Sequence, residues 1–338
     1  MRVSEKSPYL QREKMIGRNY VPEGMLEKNA ENTLSRGNRK NLELAMAQGR
    51  ILEAPAVMCD CRTMELRVDL GEVTGILPRE EAVFSPDGSP VRDIAVITRV
   101  GKPIQFKIKD ISENGRGEPI AILSRREAQI ECCENYINTL ECGDIIPVKV
   151  THLEPFGAFC DMGCGMVALL TVDSISVSRI SHPSDRFQVG DCIMAIVKQI
   201  DKETGRIYLS HRELLGTWEE NAESFSAGQT VTGIVRSVEE YGVFVELAPN
   251  LAGLAEPFEN VYPGDACSVY IKSIIPERMK IKLVLIDNCG PASPRPFRYF
   301  VDTDTVDHMD HWIYSPRASK KVIESVFEVT EYPKEAVR

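Results

Sequence analysis

The chain has 338 residues and is acidic, with a formal net charge of −10. Apolar residues make up 43% and charged residues 27% of it, which is ordinary for a globular protein and excludes a disordered or collagen-like chain. The charge argues against a broadly basic nucleic-acid-binding domain, so any nucleic acid must be held by a local patch or by stacking. No apolar run approaches the roughly 18 residues of a spanning helix. The N-terminus leads into no apolar secretory segment, and a cytoplasmic location without membrane association is predicted.

Residues 1–50 are predicted to be a flexible N-terminal arm followed by a helix. Residues 1–38 are polar, nearly neutral and without clear periodicity, as in a disordered arm. From Arg39 to Gln48 the apolar residues recur at helical spacing, and Gly49 is a suitable residue to end a helix there.

Three consecutive segments then carry the same strand-rich pattern. Residues 51–130 are a weak copy, residues 141–215 and 227–287 are strong copies, and helical linkers are predicted at 125–140 and 214–225. Each strong copy has five short stretches of alternating polarity punctuated by Gly and Asp, which is typical of strands. Five strands in about 60 to 80 residues suit an OB-fold barrel. The predicted fold is therefore mainly β, with three tandem five-stranded OB-fold barrels, the first degenerate.

Residues 288–338 are predicted to be a linker and a C-terminal tail, with a Gly- and Pro-rich linker from Cys289 and a helix near 318–327. The acidic and His residues of the tail lack a second ligand pair, and such clusters are usually solvated, so no metal site is predicted. The ten cysteines contain no CxxC pair and are interpreted as reduced, buried small apolar residues. With no phosphate loop or catalytic motif, no catalytic residue and no cofactor are predicted.

An aromatic pair recurs at the same place in both strong copies. Phe156 and Phe159 flank Gly157 at the turn between the first two strands, and Tyr241 and Phe244 occupy the same positions in the last copy. An exposed ring that stacks on a base contributes about 1–3 kcal/mol without requiring a particular base. The alternative is that these rings are ordinary core residues. Met64 and Arg67 stand at these positions in the first copy.

Three segments of the middle copy give it a specific resemblance. Phe-Gly-Ala-Phe-x-Asp at 156–161, His-Pro-Ser-Asp-Arg-Phe-x-Val-Gly-Asp at 182–191 and Ile-Asp-Lys-Glu-Thr-Gly-Arg at 200–206 resemble the RNA-binding domain of the bacterial ribosomal protein S1 family. The resemblance is clear over 141–287 and degenerate over 53–127. Within that family, the chain looks similar to the short homologues of Gram-positive anaerobes rather than to the long six-repeat form.

The resemblance implies a single-stranded RNA surface made of two aromatics, a third-strand His, and an Asp and an Arg near the last turn. In the middle copy Phe156, Phe159, Asp201 and Arg206 match, whereas Leu170 stands for the His. In the last copy Tyr241, Phe244 and Lys280 match, whereas Glu256 replaces the His and Ile275 the Asp.

Further contacts could come from residues outside that set. His182 is a candidate for base or phosphate contact at the rim, with a structural role in its turn as the alternative. Candidate phosphate contacts are Lys149, His152, Arg179, Arg186, Lys198 and Arg212.

The resemblance implies a non-catalytic function: binding of single-stranded RNA, in particular messenger RNA, at the small ribosomal subunit during translation. The alternative is a protein-docking adaptor on the ribosome or on an RNA-decay or transcription complex. The acidic charge, the missing His and the first copy without aromatics favour that alternative. A nuclease or redox enzyme using tail acids or cysteines is a third hypothesis, disfavoured because no catalytic constellation is visible.

Overall fold

The computed structural model describes residues 20–27, 29–86, 88–293 and 298–327. Within these ranges three closed five-stranded barrels follow one another along the chain. This confirms the predicted fold class.

The first barrel has the strand order β1-β2-β3-β5-β4. Its strands are β1 (Leu52–Cys59), β2 (Leu66–Asp69), β3 (Thr74–Leu77), β4 (Pro103–Glu113) and β5 (Pro119–Ser124). Strand β3 runs parallel to β5 and the other neighbours are antiparallel, which closes the sheet without a free edge.

The second barrel repeats this topology, with the order β10-β8-β7-β6-β9. Its strands are β6 (Ile145–Glu154), β7 (Gly157–Gly163), β8 (Met166–Thr171), β9 (Cys192–Asp201) and β10 (Arg206–Ser210). Gly157 is required where β7 meets β8, because a Cβ atom there would lie 2.5 Å from the carbonyl oxygen of Leu170.

The third barrel has the order β11-β12-β13-β15-β14. Its strands are β11 (Thr230–Glu239), β12 (Gly242–Ala248), β13 (Leu251–Ala255), β14 (Asp265–Ile275) and β15 (Lys280–Pro291). The linker predicted from Cys289 therefore begins inside β15.

Short helices precede and connect the barrels. They are α1 (Ala30–Arg36), α2 (Arg39–Ala47), α3 (Asp93–Ile97), α4 (Arg125–Asn135) and α5 (Trp218–Ala222). Turns of 3-10 helix occur at Arg79–Glu81, Ile137–Thr139, Val172–Ser174, Pro183–Asp185, Arg212–Leu215 and Pro276–Arg278. The predicted helix at 39–48 and both helical linkers are confirmed. Within the described ranges the longest helix has 11 residues, well short of the roughly 20 apolar residues that cross a bilayer.

The predicted flexible arm is wrong for its second half, whereas residues 1–19 lie outside the described part. Tyr20 and Glu23 are buried, and the Glu23 carboxylate binds Arg125 with Nε to Oε1 at 2.6 Å. The Asn32 side chain of α1 exchanges two hydrogen bonds with the backbone of Glu53, both 2.9 Å long. These contacts are long-range and polar, so they leave no periodicity in the local sequence.

The helix predicted near 318–327 is also wrong. Strand β17 (Glu324–Val326) lies there and pairs with β16 (His311–Ile313). Trp312 and Tyr314 join the apolar core of the third barrel, and Trp218 N–H donates to the carbonyl of Tyr314 at 3.0 Å. The tail residues 298–327 therefore pack against both the second and the third barrel.

Candidate nucleic-acid interface

The barrel registers place one row of outward-facing residues across three neighbouring strands of each barrel. In the second barrel Phe159 of β7 pairs with Leu169 of β8, which pairs with Tyr208 of β10. Their neighbours Ala158 and Leu170 are fully buried, so the row lies on the outer face. The motif glycine keeps β7 and β8 close enough for this row to be continuous.

Aromatic rings cover this outer face. Phe156 is 54% exposed, and its ring meets the Phe159 ring edge to face, with centroids 5.9 Å apart. The His152 ring also lies beside the Phe159 ring, with centroids 6.2 Å apart and planes inclined by 26°. Phe156, Phe159, Leu169, Arg206 and Tyr208 line one shallow cavity of about 410 Å³. We call these five residues the middle platform.

Asp201 and Arg206 face each other where β9 and β10 meet. The Asp201 carboxylate accepts the Thr204 hydroxyl at 2.5 Å and the backbone N–H groups of Glu203 and Thr204. These hydrogen bonds, the Thr204 hydroxyl first, hold the pKa of Asp201 below its usual range. Asp201 therefore shapes the turn before Arg206, whereas Arg206 itself lies on the platform.

His182 begins the 3-10 turn Pro183–Asp185. The ring Nδ1 atom of His182 accepts a hydrogen bond from the backbone N–H of Ser184 at 3.1 Å. The backbone N–H of His182 donates to the Asp185 carboxylate. The hydrogen bonds described for His182 thus stay inside its own turn, and a contact with RNA stays a prediction.

The third-strand position assigned to Leu170 is wrong. Leu170 is fully buried and pairs with Ala158, while Thr171 pairs with Gly157. In the third barrel, Ala255 holds the buried position and Glu256 follows it, so Glu256 is equivalent to Thr171. A shift by one residue moves a strand side chain to the opposite face of the sheet. The sequence comparison of the two strong copies placed the expected His at Leu170, one residue before Thr171.

The third barrel carries a smaller version of the same surface, which we call the third platform: Tyr241, Phe244, Leu254, Lys280 and Lys282. The ring of Tyr241 is 65% exposed and meets the Phe244 ring edge to face at 6.2 Å. Phe244 pairs with Leu254, which pairs with Lys282. Lys282 thus occupies the position of Tyr208, and Lys280, opposite Ile275, that of Arg206.

In the first barrel the corresponding row is Arg67, Ile76 and Ile122. Arg67 does stand at the position of Phe159, as the sequence alignment predicts. Met58 of β1 pairs with Arg67 at the end of this row and is 44% exposed. This outer face therefore has no stacking ring in its row.

Several predicted phosphate contacts are engaged elsewhere. Arg186 is wrong as a surface contact, because its side chain is 4% exposed and ion-paired with Glu246. Lys149 donates to the carbonyl of Glu23 at 2.8 Å, and Lys198 to the Ser174 hydroxyl at 2.8 Å. Arg212 binds Glu213 and Ser325. His152 and Arg179 are exposed.

The sequence alone did not predict that Tyr208 and His152 contribute rings to the middle surface. Tyr208 has no aromatic counterpart in the last copy, and His152 had been considered only as a cation. The strand register is the signal that places them, since residues paired across neighbouring strands share a face.

Closed OB-type barrels that present exposed ring pairs beside Arg or Lys define a class of nucleic-acid-binding protein. Residues 139–212, which include the middle platform, match the family described as S1 RNA binding domain. The second barrel therefore resembles an S1 RNA-binding domain.

Its relatives agree with this assignment. Small ribosomal subunit protein bS1 of Rhizobium meliloti (strain 1021) is 29% identical over 235 residues, covering 64% of this chain and 40% of that protein. The bS1 protein of Staphylococcus aureus (strain COL) is 31% identical over 237 residues, covering 64% of this chain and 57% of that protein. The matched region thus spans about half the length of these relatives.

A multidomain Streptococcus pneumoniae protein with nucleic acid binding domains is 16% identical, covering 71% of this chain and 74% of that one. Its TM-score of 0.24 does not establish a shared domain arrangement.

Proposed function

We propose that this chain binds single-stranded RNA, with the middle platform as its principal site. The observation that carries the proposal is the meeting of Phe156, Phe159, Tyr208 and Arg206 on one cavity of the barrel that matches the S1 family. Three rings offer faces to successive bases, and Arg206 offers a guanidinium to the phosphates.

The chemistry of the platform favours single strands. Bases in a duplex are stacked on each other and hide their faces, whereas unpaired bases can stack on rings for about 1–3 kcal/mol each. The net charge of −10 opposes non-specific attraction to the backbone. Binding is therefore local, and its dependence on salt is set by the few cations near the platform.

The third platform is a second, weaker site for the same ligand. It has two rings and two lysines, and Glu256 lies at the end of its third strand. A carboxylate at this position repels phosphate, so it partly offsets the attraction of Lys280 and Lys282 for the RNA backbone.

The names of the relatives support a biological setting for this function. They are named as proteins of the small ribosomal subunit, and we propose that this chain acts there in translation, as a non-catalytic cytoplasmic protein that holds messenger RNA.

A direct test is fluorescence anisotropy of labelled oligo-U and of a matched RNA duplex at two salt concentrations. We expect the single strand to bind preferentially and the Phe159→Ala variant to bind it more weakly by about 1–3 kcal/mol. Tyr262→Ala is the matched control, because Tyr262 is 66% exposed and lies outside both platforms. Unchanged affinity in a folded Phe159→Ala variant would rule out the platform.

The docking-adaptor function is supported by the first barrel. Its outer face carries Arg67, Ile76 and Ile122 in place of rings, with Met58 and Val57 exposed nearby. Co-sedimentation with ribosomes that survives RNase and high salt would favour this function over RNA binding.

A further inference from the structure

A second cavity, of about 330 Å³, lies at the junction of the second and third barrels. Its described walls come from the turn at 184–188, the linker at 221–225, strands β11 and β12, and the tail at Arg298 and Phe300. None of its described lining residues belongs to either platform, so it is a separate site.

Two buried guanidinium groups share one carboxylate in its wall. Arg186 and Arg236 have side chains only 4% and 8% exposed. Glu246 Oε2 accepts Arg186 Nη2 at 2.5 Å and Arg236 Nε at 2.7 Å. Asp185 lies 3.8 Å from Arg236, but its carboxylate also accepts the backbone N–H groups of residues 181 and 182.

The positive charge in this wall is incompletely compensated. Arg186 Nε is buried and has no hydrogen-bond partner among the residues that the structure describes. Burial lowers the pKa of Arg186 even though Glu246 acts in the opposite direction. Arg298 adds a third guanidinium, 5.1 Å from the centroid of the Phe300 ring. Three cations thus face two carboxylates.

The shape and lining of the cavity indicate what could supply the missing negative charge. A guanidinium pair matches the oxygens of a phosphate group, which it can bind with paired hydrogen bonds. Phe225, Phe300, Ile234 and Leu247 give the cavity an apolar side suited to a flat ring. Its volume falls within the range of small-molecule sites, about 300–1,000 Å³.

We propose that this inter-barrel cavity binds a phosphate-bearing ligand of mononucleotide size, with its phosphate at Arg186 and Arg236 and its ring beside Phe300. The ligand would join residues of the second barrel, the third barrel and the tail.

Calorimetric titration of the full chain with AMP, inorganic phosphate and adenosine tests this proposal. We expect saturable binding of AMP, weaker binding of phosphate and none of adenosine. Arg298→Ala, at an exposed position, should weaken AMP binding about tenfold while leaving the protein folded. Arg186→Lys keeps the charge but loses the paired donors, and should weaken it similarly.

Arg206→Ala is the matched control, because Arg206 lies on the middle platform and not in this cavity. Its AMP affinity should equal that of the wild type. Absence of AMP binding at concentrations up to about 1 mM would overturn the proposal, as would equal AMP affinity in the wild type and in a folded Arg298→Ala variant. RNA binding that depends on Phe159 in a protein without AMP binding would reject this inference and leave the proposed function intact.

Such a phosphate could come from a free nucleotide or from the 5′ end of a bound strand, and the second source rests on the proposed function. Oligo-U with a 5′-phosphate is compared with oligo-U with a 5′-hydroxyl. A tenfold preference for the phosphorylated strand that is lost in Arg298→Ala supports the strand end as the source. Equal affinity, together with AMP binding, supports the free nucleotide.

Discussion

Tyr208 occupies a position of the candidate interface at which the second and third barrels carry different side chains. Its backbone pairs with Leu169, and through Leu169 it lies in one row with Phe159. The equivalent residue of the third barrel is Lys282. In the proposed RNA binding the two platforms therefore differ at this position: one offers a ring for stacking on a base, and the other offers a cation for phosphate.

Tyr208→Ala should weaken oligo-U binding by about 1–3 kcal/mol, because one stacking surface is removed. Lys282→Ala should instead reduce the salt dependence of binding, because one phosphate contact is lost. Anisotropy titrations over a salt series measure both effects. Equal salt slopes in the wild type and the Lys282→Ala variant would contradict the division between the platforms.

His211 is a buried residue whose protonation bears on stability. Its Nδ1 donates to the carbonyl of Ile175 at 3.2 Å, and its Nε2 lies 3.3 Å from the Tyr299 hydroxyl. Burial lowers its pKa to about 4. At pH values between about 6.5 and 4 the unfolded chain therefore binds a proton at this residue that the folded chain does not bind.

Stability should consequently be lost as the pH falls from about 6.5 towards 4, by about 3 kcal/mol from this residue, since a tenfold change in proton affinity corresponds to about 1.4 kcal/mol. Urea unfolding at pH 7.5, 6 and 4.5 measures the loss. In a His211→Asn variant the decline should be shallower by this amount. Parallel stability curves for the two proteins would show that His211 is not the group responsible.

At the scale of elements, the close contact between β7 and β8 determines whether the platform forms. Phe159 and Leu169 can share a surface only because Gly157 lets the two backbones approach. At the equivalent Gly242 in the third barrel, a Cβ atom would lie 2.3 Å from the carbonyl oxygen of Ala255.

Gly157→Ala should destabilise the second barrel by about 1–3 kcal/mol, because the new methyl group overlaps the Leu170 carbonyl. Gly115→Ala is the control, since a Cβ atom there meets nothing within 4 Å. Thermal unfolding of both variants gives the comparison. Equal melting temperatures of the two variants would mean that β7 and β8 can move apart without a loss of stability.

The whole molecule is held together by segments outside the barrels. Asp161 of β7 accepts the backbone N–H of Glu23 at 2.8 Å, which ties the N-terminal segment to the second barrel. At the other end, Tyr314 donates its hydroxyl to the carbonyl of Asn250 at 2.6 Å. The tail core also contains Ile145 and Ile196 of the second barrel.

Trp312→Ala should lower the free energy of unfolding by about 3–5 kcal/mol, because a buried ring is removed from this shared core. Ile313→Ala is the neighbouring control, at a side chain that is 47% exposed. Urea unfolding would show the difference. A loss of similar size in both variants would indicate a general effect on β16 and not the loss of core packing.

The repeated sequence patterns determined the three barrels, since alternating polarity and Gly–Asp turns are local features that specify strands and their order. The ring pairs Phe156/Phe159 and Tyr241/Phe244 were likewise visible, because they recur at fixed spacing beside a glycine. The roles of Asp201, Arg206, Lys280 and His182 in RNA binding stay predictions.

Tertiary structure decided the rest. Only strand register showed that Leu170 is buried and that Tyr208 lies beside Phe159, because one residue of shift reverses the face of a strand. The ordered N-terminal segment and the β16–β17 pair depend on contacts more than ten residues apart, which local periodicity does not record. The paired guanidinium groups of Arg186 and Arg236 come from different barrels, and only folding brings them to one carboxylate.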